Sequence, residues 1–424
     1  MNSSTKLKIA MVVRSFSTSG GLELYAHKTV EGLLERGHLV TVICEENHSL
    51  LTNERLSFQY FSVPKQDMPK AKRLEHYFEA ASRAVKQAGS FDIIHSQHLP
   101  MAGANVVTFH NHSVHRLYKV GKRWENIFNW TKYKLLSRYQ LRDQYDQQLL
   151  NDGKCLVFSA KVCRDDFYAN YNLSESKPSL VAYPGATLAQ ASASPREKNI
   201  FETVADMTKS NKDKQLPHFE GKEPFTFVFV GRGYRKKGLD ILLAACNLLR
   251  KQGKLFHLVV AGIKLRPLDK LRLHMMDLPG LVTYLGFCKD MQSVYKQGMA
   301  VILPSRVEPF GMTALQGMAE GLTPIVSRVA GVSEIVEKSR CGLILENHLS
   351  PSDLAKQMAF LMSDRNRNRQ MGDAARAVAQ ELTWDKTVAD TLQAYEIALA
   401  KLANKDQASE KGSLNGQVQS KSLN

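Results

Sequence analysis

Pro304-Ser-Arg-Val-Glu308-Pro-Phe-Gly311-Met-Thr-Ala-Leu-Gln316 begins where an apolar run with β-branched residues, Ala300 to Leu303, ends. That run predicts a strand. Pro and Gly then predict a turn, and Met312 to Glu320 predicts a helix. An acidic side chain, Glu308, thus sits on a loop between the carboxyl end of a strand and a helix N-terminus. Open α/β sheets hold their ligands in that crevice, and unpaired helix amides favour anionic groups there. A lone Glu on such a loop is ordinarily solvated or caps the following helix, so its neighbours decide its meaning.

Working outward, the same alternation runs through the chain. Lys8 to Val13, Leu39 to Cys44, Asp92 to His95, Asn105 to Phe109, Cys155 to Phe158 and Leu180 to Tyr183 read as strands, with helices at Leu22 to Arg36 and Lys70 to Ala88. After a polar segment, Phe225 to Val230, Leu255 to Ala261, Val282 to Leu285, Ala300 to Leu303 and Thr323 to Ser327 resume the pattern. Strands separated by helices predict parallel, doubly wound sheets. The expected organisation is a domain over 1–187, a linker over 188–223 and a second domain over 224–383. A helix over 384–402 returns to the first domain, and a polar, disordered tail covers 404–424.

The 424 residues exceed one ordinary core and suit two or three domains. The six cysteines are scattered without a C-x-x-C pair, which argues against zinc or redox chemistry and for the cytosol. No apolar run is long enough to span a bilayer, and no secretory pattern is read. The net charge of +16 suits an anionic membrane or acidic substrates. No nucleic-acid-binding signature accompanies it, so nucleic acid is not an expected partner.

Other strand ends carry candidate chemistry. Gly20 and Gly21 follow the first strand and open the first helix, where glycines let backbone amides approach a phosphate or sugar. Gly231-Arg232-Gly-Tyr-Arg-Lys-Lys237-Gly238 follows the first strand of the second domain, and fixed cations there would stabilise charge on a departing diphosphate without a metal. His110 ends the run Asn105-Val-Val-Thr-Phe-His110, at a strand's carboxyl end. His95 and His98 lie three apart at a strand end, which is not a convincing metal site.

The run Ser305 to Gly311 resembles the Glu-x7-Glu donor-site element of a large family of retaining glycosyltransferases. That family includes sucrose synthases, phosphatidylinositol mannosyltransferases and lipopolysaccharide core glucosyltransferases. Its first Glu is Glu308; its second falls at Gln316, a departure. The run Gly231 to Gly238 resembles the family's diphosphate-binding element, and Gly20 to His38 its first βα unit. The resemblance implies the GT-B architecture, two Rossmann-like doubly wound domains facing across a cleft. It implies transfer of a hexose or heptose from a UDP- or GDP-linked sugar to a glycan or glycolipid, with retention and no metal. It further implies that Arg232 and Lys237 hold the diphosphate, and that Glu308, His110 and the amides of Phe310 and Gly311 meet the sugar. Gln316 would bind the ribose, and Phe287 and Cys288 would lie at the nucleobase. The loss of charge at Gln316 leaves open a catalytically weakened nucleotide- or glycan-binding protein.

The segment 116–150 concentrates basic residues and two of the three tryptophans. Trp124, Ile127, Phe128, Leu135 and Tyr139 share one helical stripe with Arg138 and Arg142, and Trp130, Lys132 and Lys134 lie in the same segment. Two arginines are out of place on a stripe facing a dry core. The expected partner is an anionic membrane surface or a phosphorylated acceptor, with a helix docked on its own domain as the alternative. The resemblance extends here to the membrane-facing part of lipopolysaccharide core glucosyltransferases, which implies a peripheral location on the inner face of the plasma membrane.

Overall fold

The computed structural model describes residues 6–64, 68–119, 123–187, 223–263, 267–276, 278–288 and 290–420. Apart from Glu223, the expected linker lies outside the described residues. The chain divides into two compact units. One comprises Met1–Tyr118, Ile127–Tyr183 and Trp384–Asn424, the other Lys119–Asn126 and Pro184–Thr383.

The first unit runs β1 (Lys8–Val12), β2 (Ser15–Phe16), α1 (Gly21–Glu35), β3 (Leu39–Cys44), β4 (Glu46–Asn47), β5 (Leu56–Tyr60), α2 (Lys70–Gln87), β6 (Ile93–Ser96) and β7 (Val106–Phe109). It continues with α3 (Arg123–Leu135), which straddles the division, then α4 (Ser137–Asp152), β8 (Cys155–Phe158), α5 (Lys161–Tyr171) and β9 (Ser179–Val181). The second unit runs β10 (Phe225–Val230), α6 (Leu239–Lys251), β11 (Phe256–Ala261), α7 (Pro267–Met275), β12 (Val282–Gly286), α8 (Met291–Lys296) and β13 (Ala300–Leu303). Then come α9 (Met312–Ala319), β14 (Thr323–Ser327), α10 (Val332–Ser339), β15 (Leu343–Leu345), α11 (Pro351–Ser363) and α12 (Arg365–Glu381). The last helix, α13 (Trp384–Ser420), belongs to the first unit and runs on into the polar stretch expected to be disordered, of which 421–424 lie outside the described residues.

Both main sheets are parallel, in the orders β5-β3-β1-β6-β7-β8-β9 and β12-β11-β10-β13-β14-β15. Their strands are apolar on both faces, as Ile9 to Val12 and Phe225 to Val230 show, because helices cover both sides. One face of the first sheet packs Ile9, Met11 and Val106 against α1 and against Val388, Ala394, Tyr395 and Ala398 of α13. The other face packs Val12, Phe109 and Phe158 against α2 and α5. Strand order reverses between β1 and β6 in the first sheet and between β10 and β13 in the second. Beyond the carboxyl ends of such neighbours two loops diverge and leave a crevice.

Candidate active site

In the second unit the loops after β10 and β13 flank the reversal point. The first, Gly231 to Gly238, carries Arg232 and Lys237; the second, Pro304 to Gly311, carries Glu308. The loops are joined at several points. Gly238 has φ +77° and lies so close to the second loop that a Cβ would collide with the Pro304 carbonyl oxygen. The Arg306 amide donates to Lys236 O at 3.0 Å. The Arg306 guanidinium donates to Arg235 O at 2.5 Å and to both carboxylate oxygens of Asp240 at 2.7 Å. This planar, bidentate grip fixes the spacing of the two loops. Neither Arg306 nor Asp240 was marked as functional by the sequence, because their pairing spans two separate loops.

Across that seam the Lys237 ammonium forms an ion pair with the Glu308 carboxylate, to which Ser305 Oγ also donates at 3.3 Å. Glu308 is only 6% exposed, so its charge relies on these partners. Its backbone bridges Ala330, and Val332 N donates to Phe310 O at 2.7 Å, docking the loop onto the turn before α10. Phe310 is buried as an anchor, so any meeting with a sugar would involve its backbone. Gly311, with φ +112°, caps α9; a Cβ there would approach Leu303 Cδ2 to 2.7 Å. The first-turn amides of α9 thereby begin at the crevice. Arg232 is exposed, its guanidinium carbon 5.4 Å from the centre of the exposed Phe287 ring. Cys288 is part-buried, its Sγ 3.9 Å from the carbonyls of Leu285 and Gly286.

Gln316, expected at the ribose, pairs with a peptide group of its own unit. With its amide oriented to satisfy both groups, Nε2 donates to Thr187 O at 3.1 Å and Oε1 accepts from Thr187 N at 3.0 Å. An amide is complementary to a peptide group in this way, whereas a carboxylate cannot donate to the carbonyl.

In the first unit, Gly20 caps α1, and Gly21 is its first residue. The Glu23 carboxylate fills the space beside Gly20 where a Cβ would lie, so an anion approaching that helix end meets a negative charge. His110 lies after β7. Its Nε2 is 2.6 Å from Gln97 Oε1 and its ring meets the Tyr25 ring edge-on at 4.8 Å. Burial, with His98 and His95 nearby, pushes the His110 pKa well below its ordinary value, so the ring is neutral. His95 bonds Tyr395 and Thr108, and His98 bonds Asp146. These two histidines are occupied in separate pairings.

The expected continuous stripe over 116–150 is interrupted. α3 stops at Leu135, Leu136 adopts an extended conformation, and α4 begins at Ser137. On α3, Ile127, Phe128 and Trp130 are 61%, 56% and 49% exposed. Lys132 lies over the Phe128 ring at 4.2 Å, and Lys134 is 5.9 Å from that of Trp130. The Trp124 side chain lies outside the described part. Arg138 packs over Tyr139, while Arg142 donates to His112 O and faces Asp146, so it braces its own unit instead of extending the patch. Among the described residues no helix is long and apolar enough to cross a membrane.

Two parallel, doubly wound sheets of this kind are the GT-B fold. The solved lipopolysaccharide-biosynthesis glycosyltransferase WaaG matches with a TM-score of 0.69 at 16% identity, over 91% of this chain and 99% of that one. Anabaena Alr3699/HepE, solved with UDP and glucose, matches with a TM-score of 0.61 at 14% identity, over 91% and 99%. The D-inositol 3-phosphate glycosyltransferase of Paenarthrobacter aurescens (strain TC1) is 24% identical, over 91% of this chain and 94% of its own. Residues 19–185 match the model of Glycosyltransferase Family 4, and residues 210–378 match that of Glycosyl transferases group 1. The chain belongs to this glycosyltransferase family.

Proposed function

We propose that the protein transfers a hexose or heptose from a UDP- or GDP-linked sugar to a glycan or glycolipid acceptor, with retention of anomeric configuration. The observation that carries this reading is the Lys237–Glu308 pair at the reversal point of the second sheet. Its ammonium complements a diphosphate and its carboxylate complements sugar hydroxyls. Lys237 and Arg232 would stabilise the leaving diphosphate as the anomeric C–O bond breaks. Glu308 and the amides of Phe310 and Gly311 would hold the sugar, and His110 would meet one of its hydroxyls. The acceptor oxygen bonds to the anomeric carbon, and its proton passes to the leaving phosphate. No metal is needed in this scheme, since the cations are supplied by the chain. Phe287 and Cys288 are assigned to the nucleobase.

The exposed α3 patch supports an acceptor on, or attachment to, an anionic membrane, in keeping with cell-surface polysaccharide or lipopolysaccharide assembly on a cytoplasmic face. Inositol phosphate is the second acceptor class, suggested by the relative's name. The test is incubation of the purified protein with a panel of UDP- and GDP-sugars and these acceptors, with and without EDTA, reading the product anomer by NMR. Absence of donor binding and turnover throughout would refute it. A weakened, binding-only protein is the second reading, favoured by the engagement of Gln316 with Thr187; donor binding without transfer to any acceptor would support it.

A further inference from the structure

We infer that Gln97 is a positioning residue that fixes His110 in the tautomer protonated on Nε2, so that Nδ1 is offered to the substrate as a hydrogen-bond acceptor. The inference rests on the reading that His110 meets the transferred sugar.

Gln97 follows β6 at the reversal point of the first sheet, and its amide N–H donates to Val12 O at 2.9 Å, tying it to β1. It is buried, and its side chain has three close neighbours. Its amide nitrogen is 3.1 Å from Met11 Sδ and 3.2 Å from His95 Nε2, and its amide oxygen is 2.6 Å from His110 Nε2. The two ends of an amide differ in kind, so one neighbour suffices to orient it. Met11 supplies that constraint: a thioether sulfur only accepts, so the NH2 group and not the oxygen faces it.

The rest follows in sequence. With NH2 facing His95, the His95 Nε2 is an acceptor, shared with the Thr108 hydroxyl 2.7 Å away, which then donates to it, and the His95 proton lies on Nδ1, 2.8 Å from the Tyr395 hydroxyl. With Oε1 facing His110, the His110 Nε2 must carry a proton to donate. Three hydrogen bonds therefore run in one direction from His110 through Gln97 and His95 to Tyr395 of α13. Among the described residues no protein donor reaches His110 Nδ1. Among the described residues the groups beside the ring include Gln97, His95, His98 and the Tyr25 ring, and no carboxylate there favours an imidazolium. A neutral ring with a bare Nδ1 accepts a hydrogen bond from a sugar hydroxyl; that nitrogen cannot donate one.

The test is a long-range 1H–15N correlation spectrum of the full chain with labelled histidine, the His110 signals being identified by their loss in H110Q. The expected wild-type result at pH 7 is protonated Nε2 and bare Nδ1. Gln97→Glu places a carboxylate on the Nε2 side, which raises the His110 pKa, and the acid limb of the kcat/KM profile then moves to higher pH. Gln97→Leu removes the acceptor, and kcat falls about tenfold, the weight of one net hydrogen bond. A wild-type His110 protonated on Nδ1, or a Gln97→Glu protein with unchanged histidine signals and pH profile, overturns the inference. If either variant fails to fold, the wild-type spectrum still decides the tautomer. Unchanged turnover in H110Q alongside an Nε2 proton would instead overturn the placement of His110 at the sugar.

Discussion

Arg306 grips Asp240 through two parallel N–H···O bonds of 2.7 Å each, and in doing so holds the loop bearing Lys237 against the loop bearing Glu308. Arg306→Ala leaves Asp240 and the Arg235 carbonyl without this donor. The pair is mostly buried, so the expected cost is about 3 kcal/mol of stability, the low end for breaking such a pair. Arg306→Lys keeps the charge but loses the fork, and kcat/KM should fall while donor specificity is kept. Urea titration and steady-state kinetics of both variants check this; an unchanged kcat/KM in Arg306→Lys would show that the loop spacing does not matter.

Lys237→Ala removes the ammonium that the proposed reaction directs at the departing diphosphate. The expected loss in kcat is on the order of 10² to 10³. Arg232→Ala, at an exposed position beside Phe287, should lose less. Single-turnover rates with a fixed donor measure both, and losses under about fivefold in the two variants would remove the diphosphate from this loop.

Gln316→Glu restores the residue of the resembled donor element, but places a carboxylate oxygen against the Thr187 carbonyl. Stability should fall by about 1–3 kcal/mol through the lost donor and the oxygen–oxygen contact. Donor KM should not improve. A lower KM with unchanged thermal midpoint would return Gln316 to the ribose.

Burial pushes the His95 pKa down to about 3 and His110 well below its ordinary value. In the unfolded chain each takes up a proton near pH 6.5, while the folded chain does not, so the unfolded state binds more protons below that pH. Stability is therefore full above pH 6.5 and falls as the pH drops toward the folded values, by about 2 kcal/mol at pH 5 for His95 and in the same direction for His110. Urea midpoints between pH 7 and 5 measure the slope. His95→Gln should lower it by about one proton.

Lys132→Glu with Lys134→Glu should abolish co-sedimentation with anionic vesicles at low salt, and the wild-type protein should lose it at high salt. Arg142→Ala should leave vesicle binding intact and lower the thermal midpoint instead, because Arg142 braces the His112 carbonyl and Asp146. Vesicle binding that ignores the two lysines would dissociate the patch from membranes.

The loop positions of Glu308, Arg232 and Lys237 were readable because each follows directly on an apolar strand, where position in the chain nearly fixes position in the sheet. The parallel sheets were readable for the same reason, from runs such as Ile9 to Val13 and Phe225 to Val230. Gln97 and Arg306 were not: their roles come from partners 13 and 66 positions away, His110 and Asp240. The break at Leu136 carries no Pro or Gly, so a periodic reading ran through it and counted Arg142 with the exposed stripe. Gln316 was legible as a motif position, whereas its pairing with the Thr187 peptide group was not.

Tyr395 lies in the same apolar core as Ile9 and Met11, near the opposite end of the chain. While the polypeptide emerges from the ribosome, the first sheet must therefore form with one of its faces incompletely covered until the second unit has been synthesised. Chaperone dependence and sensitivity to premature termination should concentrate in that interval, and a nascent chain stopped before Trp384 should be degraded although all the strands of both sheets have been made.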